Sequence, residues 1–467
     1  MKRKPTNMSA NEKNPMHLGL LELISFGVVN MGGTFTALTG SFLMLFYTDI
    51  VGLSAVSVAT LFLVARIVDG ISDPVTGFLL DRAPVTKFGK FRPIIVIGTI
   101  ATAINLVLVF FGPYWVPVGK LTIAYITYLL IGVISDIQSI PLNGLLPRIT
   151  DDEKSRNGLS TAKALAASAG ALVLSISAPL IVADMQINSF YTLVFGTSII
   201  GVVLTVVGIA GVKERMSMKM ANAGTKKEEH YSFLEMLKML LYKPVIIFII
   251  MFLSMAMCNS IGSGVGAYYY TYVMGNLKIM STMSVVMLFG QIPAYILAVP
   301  ISNRFGKKNA FQFGSVVYII GTLLRLIDTS SISVAIAASF ISIFGHGLLS
   351  PIVYSMLADN MDYVEYRSGK RADSAVAASN SFVMKCAQGV GGSIPLYIMG
   401  AAGYVQGMTT MTTAVTNSII FSFVILPSLL TLFMIILMGF GYKLNEGKIN
   451  KINAELATRH EVQTSAE

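Results

Sequence analysis

Three charged residues interrupt a long apolar stretch near the start of the chain. The segment "ARIVDGISD" (65–73) places Arg66, Asp69 and Asp73 inside a run that is otherwise mostly apolar, from 53 to 80. A charged side chain at the centre of a membrane-spanning helix costs about 2.5–3.5 kcal/mol on insertion scales. Residues three, four or seven apart lie on one face of a helix. We therefore expect all three side chains to face the protein interior or a cavity.

Two carboxylates on one helical face make a site for a small cation. Carboxylate oxygens are suitable ligands for Na⁺, and two close carboxylates can also share one proton. The spacing therefore predicts a cation site at Asp69 and Asp73, for Na⁺ or H⁺, with Arg66 balancing the charge when the site is empty. The alternative is an internal salt bridge that only holds the helices together.

Acidic and basic residues meet again at the end of a later apolar run. Asp359, Asp362 and Glu365 come directly before the segment "RSGKR" (367–371), which ends at Arg371. Charges at the end of a span lie near water, where opposite charges can pair. We predict gate or hinge salt bridges here, not ligands of a substrate.

An aromatic run, "YYYTYV" (268–273), ends another apolar stretch. A sugar ring has an apolar face that stacks on aromatic rings, and tyrosine hydroxyls can bond its hydroxyl groups. Tyr268 is therefore a candidate for sugar binding. The alternative is a belt of tyrosines at the membrane interface, which would give the same sequence pattern. Asp49 is expected at the outer end of its helix, in or near water.

The composition places all these residues in a membrane protein. Of 467 residues, 54% are hydrophobic and only 12% are charged, about half the charge of average soluble domains. A spanning helix needs about 20 mostly apolar residues. Twelve such runs predict an all-α polytopic membrane protein: 20–47, 53–80, 94–111, 121–146, 162–182, 190–212, 245–273, 281–301, 311–327, 333–357, 374–399 and 416–442.

The basic residues predict how the chain crosses the membrane. Lys and Arg concentrate in the two tails and in alternate loops, which is typical of cytoplasmic segments. We expect both termini in the cytoplasm, a cell-membrane location and contact with membrane lipid. The predicted units are an N-terminal tail (1–19), a first six-helix bundle (20–212), a middle loop (213–243), a second bundle (244–443) and a C-terminal tail (444–467).

The charge distribution and the cysteines argue against nucleic-acid binding, disulfide-rich and metal-binding classes of protein. The net charge of +10 lies in short loops that orient a membrane protein, so nucleic acid is not an expected partner. Cys258 and Cys386 lie in apolar runs and predict neither a disulfide framework nor a metal cluster. No nucleophile–base set stands out, so we expect neither an enzyme nor a cofactor.

Several segments together resemble one transporter family. They run through nearly the whole chain between the tails and are similar to the glycoside–pentoside–hexuronide:cation symporters. The resemblance implies the major facilitator fold, two six-helix bundles around a central cavity, and symport of a sugar or glycoside with Na⁺ or H⁺ by alternating access. The matching segments are "FYTDIVGL" (46–53), "ARIVDGISDP" (65–74), "KFGKFRP" (87–93), "AYYYTYVMG" (267–275) and "MLADNMDYVEYRSGKR" (356–371).

The resemblance also assigns roles to single residues. It implies that Asp69 and Asp73 bind the coupling cation, as a metal site if the ion is Na⁺, and that Lys385 lies near them. Lys163 falls where family members that carry melibiose have an arginine near the sugar. The charge is kept there, but the planar fork of arginine is lost. Arg66 and Lys385 are further candidates for contact with substrate.

The departures from the family pattern concern the substrate. Gly33 and Ser139 stand where melibiose carriers have sugar-binding aspartates, and Asn143 stands where they have a tryptophan. Asp136 falls where they offer a hydroxyl to the cation. We expect Asp136 and Ser139 to join the cation site and Asn143 to contact substrate, while a galactoside such as melibiose is doubtful.

Two other functions stay open for the same fold. One is transport of an amphipathic lipid or drug-like molecule, which a wide apolar cavity would favour over a polar one. The other is a sensor that binds a ligand without transporting it. We expect the chain to act as a monomer in either case.

Overall fold

The computed structural model describes residues 18–38, 42–84, 86, 88–150, 152–215, 241–369, 373–405, 411–442, 444 and 446–466. Some side chains within these ranges, including that of Asp73, lie outside the description. The described residues form α1 (Leu20–Leu38), α2 (Leu43–Leu45, continued by a π-helical turn, Phe46–Ile50), α3 (Ala55–Asp81), α4 (Phe91–Trp115), α5 (Lys120–Ile149), α6 (Glu153–Ile181), α7 (Ile187–Gly211), α8 (Lys243–Val273), α9 (Ile279–Phe305), α10 (Lys307–Leu324), α11 (Ile332–Ser368), α12 (Asp373–Ala401), α13 (Thr413–Phe440) and α14 (Glu446–Ala466).

Long helices are the expected result for a chain this apolar. In hydrocarbon every backbone N–H and C=O needs an internal partner, and a helix supplies all of them within one segment. Among the described residues, eight helices are long and apolar enough to cross a membrane, namely α4 to α9, α11 and α13. The other four predicted spans overlap α1 with α2, α3, α10 and α12.

The helices pack as two groups. α1 packs on α6 and α7, and α4 packs on α5 and α7. In the second half, α11 packs on α9 and α10, while α8 packs on α12 and α13. The two groups touch mainly through α3 against α12 and α6 against α9. This is the all-helical, two-group arrangement that the sequence predicted, and the residue boundaries of the two bundles stay a prediction.

Small residues let neighbouring helices approach closely. Gly321 of α10 lies against the backbone of Ser342 in α11, and Gly345 of α11 lies against the backbone of Tyr318 in α10. A β-carbon at either position would collide with backbone atoms. Packing of this kind replaces the hydrophobic driving force that is absent between helices in lipid.

The first residues of the middle loop are held against the first helix group by side-chain hydrogen bonds. The carboxylate of Glu214 accepts hydrogen bonds from three backbone N–H groups at the start of α4, over 2.7–2.9 Å. The guanidinium of Arg215 donates two 2.7 Å hydrogen bonds to Glu22 at the start of α1. Residues 216–240, most of the predicted middle loop, lie outside the described residues.

The C-terminal segment forms a packed helix, whereas the sequence predicted only a tail. α14 packs on α11 and buries Ile449, Ile452 and Leu456 in the apolar cluster at that end of the second group. The guanidinium of Arg459 donates a 3.2 Å hydrogen bond to the carbonyl oxygen of Tyr366. The apolar residues are too widely spaced among polar ones to stand out in the sequence.

Candidate functional site

A cavity of about 1140 Å³ lies between the two helix groups. The first group lines it with residues of α1 to α6, and the second with residues of α8, α11 and α12. Most of the charged residues that the sequence placed inside spans reach it. Those whose side chains line it are Arg66, Asp69, Asp136, Lys163 and Lys385.

α3 contributes an ion pair to the cavity wall. The guanidinium of Arg66 donates to a carboxylate oxygen of Asp69 over 3.1 Å, one helical turn apart. The Asp69 carboxylate packs so closely on Gly132 of α5 that a β-carbon there would overlap it. The two side chains do share the cavity face that their spacing predicted. The Asp73 side chain lies outside the described side chains, so its place in the cation site stays a prediction.

A second carboxylate stands close to this pair. Asp136 of α5 interacts electrostatically with Asp69, and the same is true of Lys385 from the second group. One Asp136 oxygen accepts a hydrogen bond from Ser139 over 3.5 Å, and the other is buried with no hydrogen-bond partner among the described residues. Two nearby carboxylates with a vacant oxygen are suited to take up a small cation or a proton.

The cavity has a basic region along α5 and α6. The ammonium of Lys163 donates a 2.5 Å hydrogen bond to the side-chain oxygen of Asn143. Lys163 lines the cavity, and Asn143 lies beside it as the partner of that lysine. Deeper in the cavity, the buried Gln138 amide lies next to Gly33, and its nitrogen has no hydrogen-bond partner among the described residues.

The second group supplies further polar groups to the cavity wall. The side chains of Asn259 and His346 are joined by a 3.0 Å hydrogen bond at the cavity wall. Ser263, Tyr354 and Gln388 also line the cavity and are exposed. In the sequence, each is a single polar residue within an apolar span and looks the same as a polar residue buried between helices. Only the arrangement of α8, α11 and α12 shows that their side chains face the cavity.

The structure does not place Tyr268 at the cavity, contrary to the sequence prediction. Its side chain is fully buried, and its hydroxyl bonds the hydroxyl of Thr48 over 2.9 Å. The aromatic run therefore joins the two helix groups. It lies at the end of α8, beyond the cavity, because the run begins about one helical turn past Gly264, the last residue of α8 that lines the cavity.

Asp49 is the centre of this contact between the groups. The hydroxyl of Tyr272 donates to its carboxylate over 2.7 Å, and the hydroxyl of Tyr404 donates to the other carboxylate oxygen. Asp49 is half-buried, where the sequence analysis expected a group near water. Two tyrosine donors from the other half replace the water it would lose.

Further hydrogen bonds between the groups lie at the same end. Thr60 of α3 bonds the hydroxyl of Tyr397 in α12 over 2.9 Å. The hydroxyl of Ser281 in α9 donates to the carbonyl oxygen of Ile176 in α6 over 2.6 Å. We call this the closed end. Exposed cavity-lining side chains such as Ser139 and Tyr354 lie toward the opposite, open end.

The predicted gate residues lie at the open end of the second group. Asp359 accepts two hydrogen bonds from the ammonium of Lys307, over 2.6 and 2.7 Å. The partner described for it is thus on α10, because the start of α10 lies beside α11. Lys370 lies outside the described residues, so the expected pairing with the segment 367–371 stays a prediction. Asp362 and Glu365 follow on α11, and Arg371 lies outside the described residues.

Comparisons with known proteins agree with this architecture. Residues 24–446 match the family described as MFS/sugar transport protein. A putative glycoside/cation symporter of Escherichia coli (strain K12) is 30% identical over 90% of this chain and 91% of its own length. A glucuronide carrier protein homolog of the same organism is 28% identical over 94% of this chain and 96% of its own length.

Solved structures share the fold at low sequence identity. A bacterial homolog of the human lysosomal transporter Spinster, in an inward-facing and unoccupied conformation, has a TM-score of 0.62. It is 13% identical and covers 91% of this chain and 97% of its own length. At this identity the likeness concerns the fold alone.

Proposed function

The chain belongs to the MFS/sugar transport protein family, and from this premise we propose that it carries a sugar or glycoside across the membrane together with Na⁺ or H⁺. It is a multi-pass membrane transporter and not an enzyme. One observation carries the proposal: a cavity between the two helix groups holds an acidic pair, Asp69 and Asp136, beside polar groups from both halves. The relatives described as a glycoside/cation symporter and a glucuronide carrier support the same substrate class.

The acidic pair and its neighbours are our proposed cation site. We assign Asp69, Asp73, Asp136 and Ser139 to it. Arg66 pairs with Asp69 in this conformation, so an arriving Na⁺ or H⁺ competes with that guanidinium for the carboxylate. The cation lowers the repulsion between carboxylates and orders α3 against α5. By linkage, a substrate that binds more tightly to the ordered site raises cation affinity by the same factor.

The arrangement of contacts corresponds to one state of an alternating-access cycle. The halves are joined at the Asp49 end, and the cavity opens at the other end. With both termini in the cytoplasm, as the loop charges predict, this state faces inward. Transport then needs the Asp49 contacts to break while contacts form at the open end, where Asp359, Asp362, Glu365 and Arg371 are our gate candidates.

The cavity lining combines apolar side chains with hydroxyl, amide and charged groups from eight helices. The polar groups can bind the hydroxyl groups of a sugar, which supports the proposed substrate class, while the apolar part of the lining keeps an amphipathic or drug-like substrate as the alternative. A non-transporting sensor would bind its ligand but never accumulate it. We further propose that the chain acts as a monomer in the plasma membrane, surrounded by lipid.

Uptake of H⁺ or Na⁺ together with an added sugar tests the proposed symport directly. De-energised cells that express the protein receive glycosides, pentosides and uronides in turn, while external pH and Na⁺ are followed. We expect at least one sugar to draw in H⁺ or Na⁺ with it. If no sugar moves either ion, although the protein is present in the membrane, symport of a sugar is refuted.

The Asp69→Asn variant tests the cation site. Loss of a charged ligand should raise the cation concentration for half-maximal uptake about 10- to 100-fold. The control is Asp184→Asn in the loop after α6, which removes a charged carboxylate at the protein surface. Hydrogen bonds from the Ser189 side chain and the Gln186 backbone lower the pKa of Asp184 and keep it charged. Equal cation dependence in both variants would remove Asp69 from the cation site.

A further inference from the structure

We infer that Asn259 and His346, which face the cavity from the second helix group, bind neighbouring hydroxyl groups of the substrate and make those hydroxyls a determinant of specificity. This inference rests on the proposed function and deepens it, because it places recognition of the substrate in the half of the chain that lacks the acidic residues of the proposed cation site. It follows from the bond between the two side chains, from the direction of that bond, and from the polar atoms that the bond leaves without a partner.

Two helices of the second group bring these side chains together. Asn259 lies on α8 and His346 lies on α11, 87 residues later, and both line the cavity. Each is followed one helical turn later by a serine that also lines the cavity, Ser263 on α8 and Ser350 on α11. Residues four apart share one face of a helix, so both helices present a polar face to the cavity.

The direction of the hydrogen bond follows from a neighbouring contact. The side-chain nitrogen of Asn259 donates a 3.3 Å hydrogen bond to the backbone carbonyl oxygen of Met255. The opposite orientation of the amide would place two acceptors against each other. The second hydrogen of that nitrogen therefore points at Nε2 of His346, 3.0 Å away. Because Nε2 accepts this bond, the imidazole is neutral and carries its proton on Nδ1.

This arrangement leaves one acceptor and one donor for a ligand. Within the described part of the chain, neither the side-chain oxygen of Asn259 nor Nδ1 of His346 has a hydrogen-bond partner. Asn259 is exposed and His346 is half-buried at the cavity wall, so a ligand can reach both. A bond that only joined α8 to α11 would not need two further polar atoms at the cavity.

An acceptor beside a donor is suited to neutral hydroxyl groups. One hydroxyl of a sugar can donate to the Asn259 oxygen, while its neighbour on the ring accepts from Nδ1–H of His346. An analogue that lacks either hydroxyl leaves one of these protein atoms unpaired after the ligand has displaced water from the site. Such a loss should weaken binding about 5- to 150-fold.

Deoxy analogues test the inference on the purified full-length protein in nanodiscs. Calorimetry first identifies which of methyl glucoside, methyl galactoside and methyl xyloside binds most tightly. The analogues of that glycoside that each lack a single ring hydroxyl are then measured. We expect at least one of them to bind about 5- to 150-fold more weakly than the parent glycoside, and we call this ratio the hydroxyl penalty.

Three variants identify the atoms that bind the hydroxyl groups. His346→Gln keeps an amide near the position of Nε2 but removes the donor at Nδ1, so the hydroxyl penalty should disappear for at least one analogue. Asn259→Leu removes the acceptor and should abolish a penalty in the same way. His346→Asn places an amide nitrogen near the position of Nδ1 and should restore the penalty lost in His346→Gln. The control is Lys278→Gln, in the loop before α9, which should keep every penalty in full.

The hydroxyl penalty separates recognition of the substrate from a purely structural role. If the bond only holds α8 against α11, its removal weakens the parent glycoside and the analogues alike, the penalty stays unchanged, and the inference is wrong. The inference is also wrong if no single hydroxyl matters to the unmodified protein. In both cases, accumulation of the parent glycoside with a cation would leave the proposed function intact. If none of the three parent glycosides binds or moves with a cation, the inference and the proposed function both fail.

Discussion

Asp69 shows how a single carboxylate is kept within a membrane-spanning helix. Its charge is offset by Arg66 one turn away, and its side chain fits against the bare backbone of Gly132. The glycine is required because any β-carbon would occupy the position of the carboxylate. The close fit leaves Asp69 few alternative positions, so the geometry of the cation site depends on a residue that binds nothing itself.

Gly132→Ala should therefore weaken cation binding without removing any ligand. Displacing a packed group typically costs about 1–3 kcal/mol, so we expect the half-maximal cation concentration for substrate binding to rise about 5- to 150-fold. The measurement is the cation dependence of substrate binding. Gly196→Ala in α7, where no atom lies within 4 Å of the added carbon, is the control. An unchanged cation dependence in Gly132→Ala would mean that Asp69 can bind the ion from another position.

At the level of helices, the closed end depends on a few polar contacts between segments far apart in the chain. Asp49 lies in the π-helical turn after α2, Tyr272 lies in the last turn of α8, and Tyr404 follows α12. The surrounding side chains are apolar, so these hydrogen bonds are protected from water and are stronger than exposed ones. They stabilise the state in which the cavity opens at the other end.

Removing one of these bonds should shift the conformational equilibrium. A hydrogen bond to a charged group contributes about 1.5–3 kcal/mol, so Tyr404→Phe should increase the population open at the Asp49 end about tenfold or more. The control is Tyr191→Phe. It breaks the 2.9 Å bond from Trp115 to Tyr191, which lies within the first helix group.

Alkylation measures this shift. A cysteine is placed in the cavity by Ser263→Cys in a background without Cys258 and Cys386, and an impermeant maleimide is added on the side of the closed end. We expect faster labelling with Tyr404→Phe than with Tyr191→Phe. Equal rates would show that the Asp49 contacts do not hold that end shut.

On the scale of the whole molecule, α14 ties the end of the chain to the second helix group. Ile449, Ile452 and Leu456 are buried against residues of that group, and the ring of Tyr366 lies 5.1 Å from the guanidinium carbon of Arg459. A polar helix of this length is marginal when isolated in water. Its helical state therefore depends on packing against α11. Movement of α11 during the transport cycle would change the contacts that hold α14 in place.

Ile452→Ala should loosen this packing. Truncation of a buried isoleucine costs about 2–5 kcal/mol, and α14 has few other apolar contacts to compensate. We expect limited proteolysis to cut within 446–466 markedly faster than in the unmodified protein. Lys451→Ala removes an exposed neighbour and serves as the control. If both variants resist the protease equally, the helix is held by contacts other than its buried face.

What the sequence by itself determined is the class of protein and the faces of its helices. Apolar run length sets how many segments enter the membrane, since burial in lipid depends on local composition. Helical periodicity places Arg66 and Asp69 on one face, and the cost of a charge in lipid turns that face toward a cavity. The resemblance to the symporter family added Asp136, Lys163 and Lys385 to the predicted site, and their side chains line the cavity.

Only the tertiary structure decided which groups meet across the two halves. Tyr268 faces Thr48 and not the cavity, and Asp359 pairs with Lys307. The side-chain nitrogen of Gln138 has no hydrogen-bond partner in the described part of the chain. These contacts depend on the depth, rotation and crossing of helices that are far apart in sequence. A local pattern fixes the face of a helix, but its register against a distant neighbour follows from packing over its whole length.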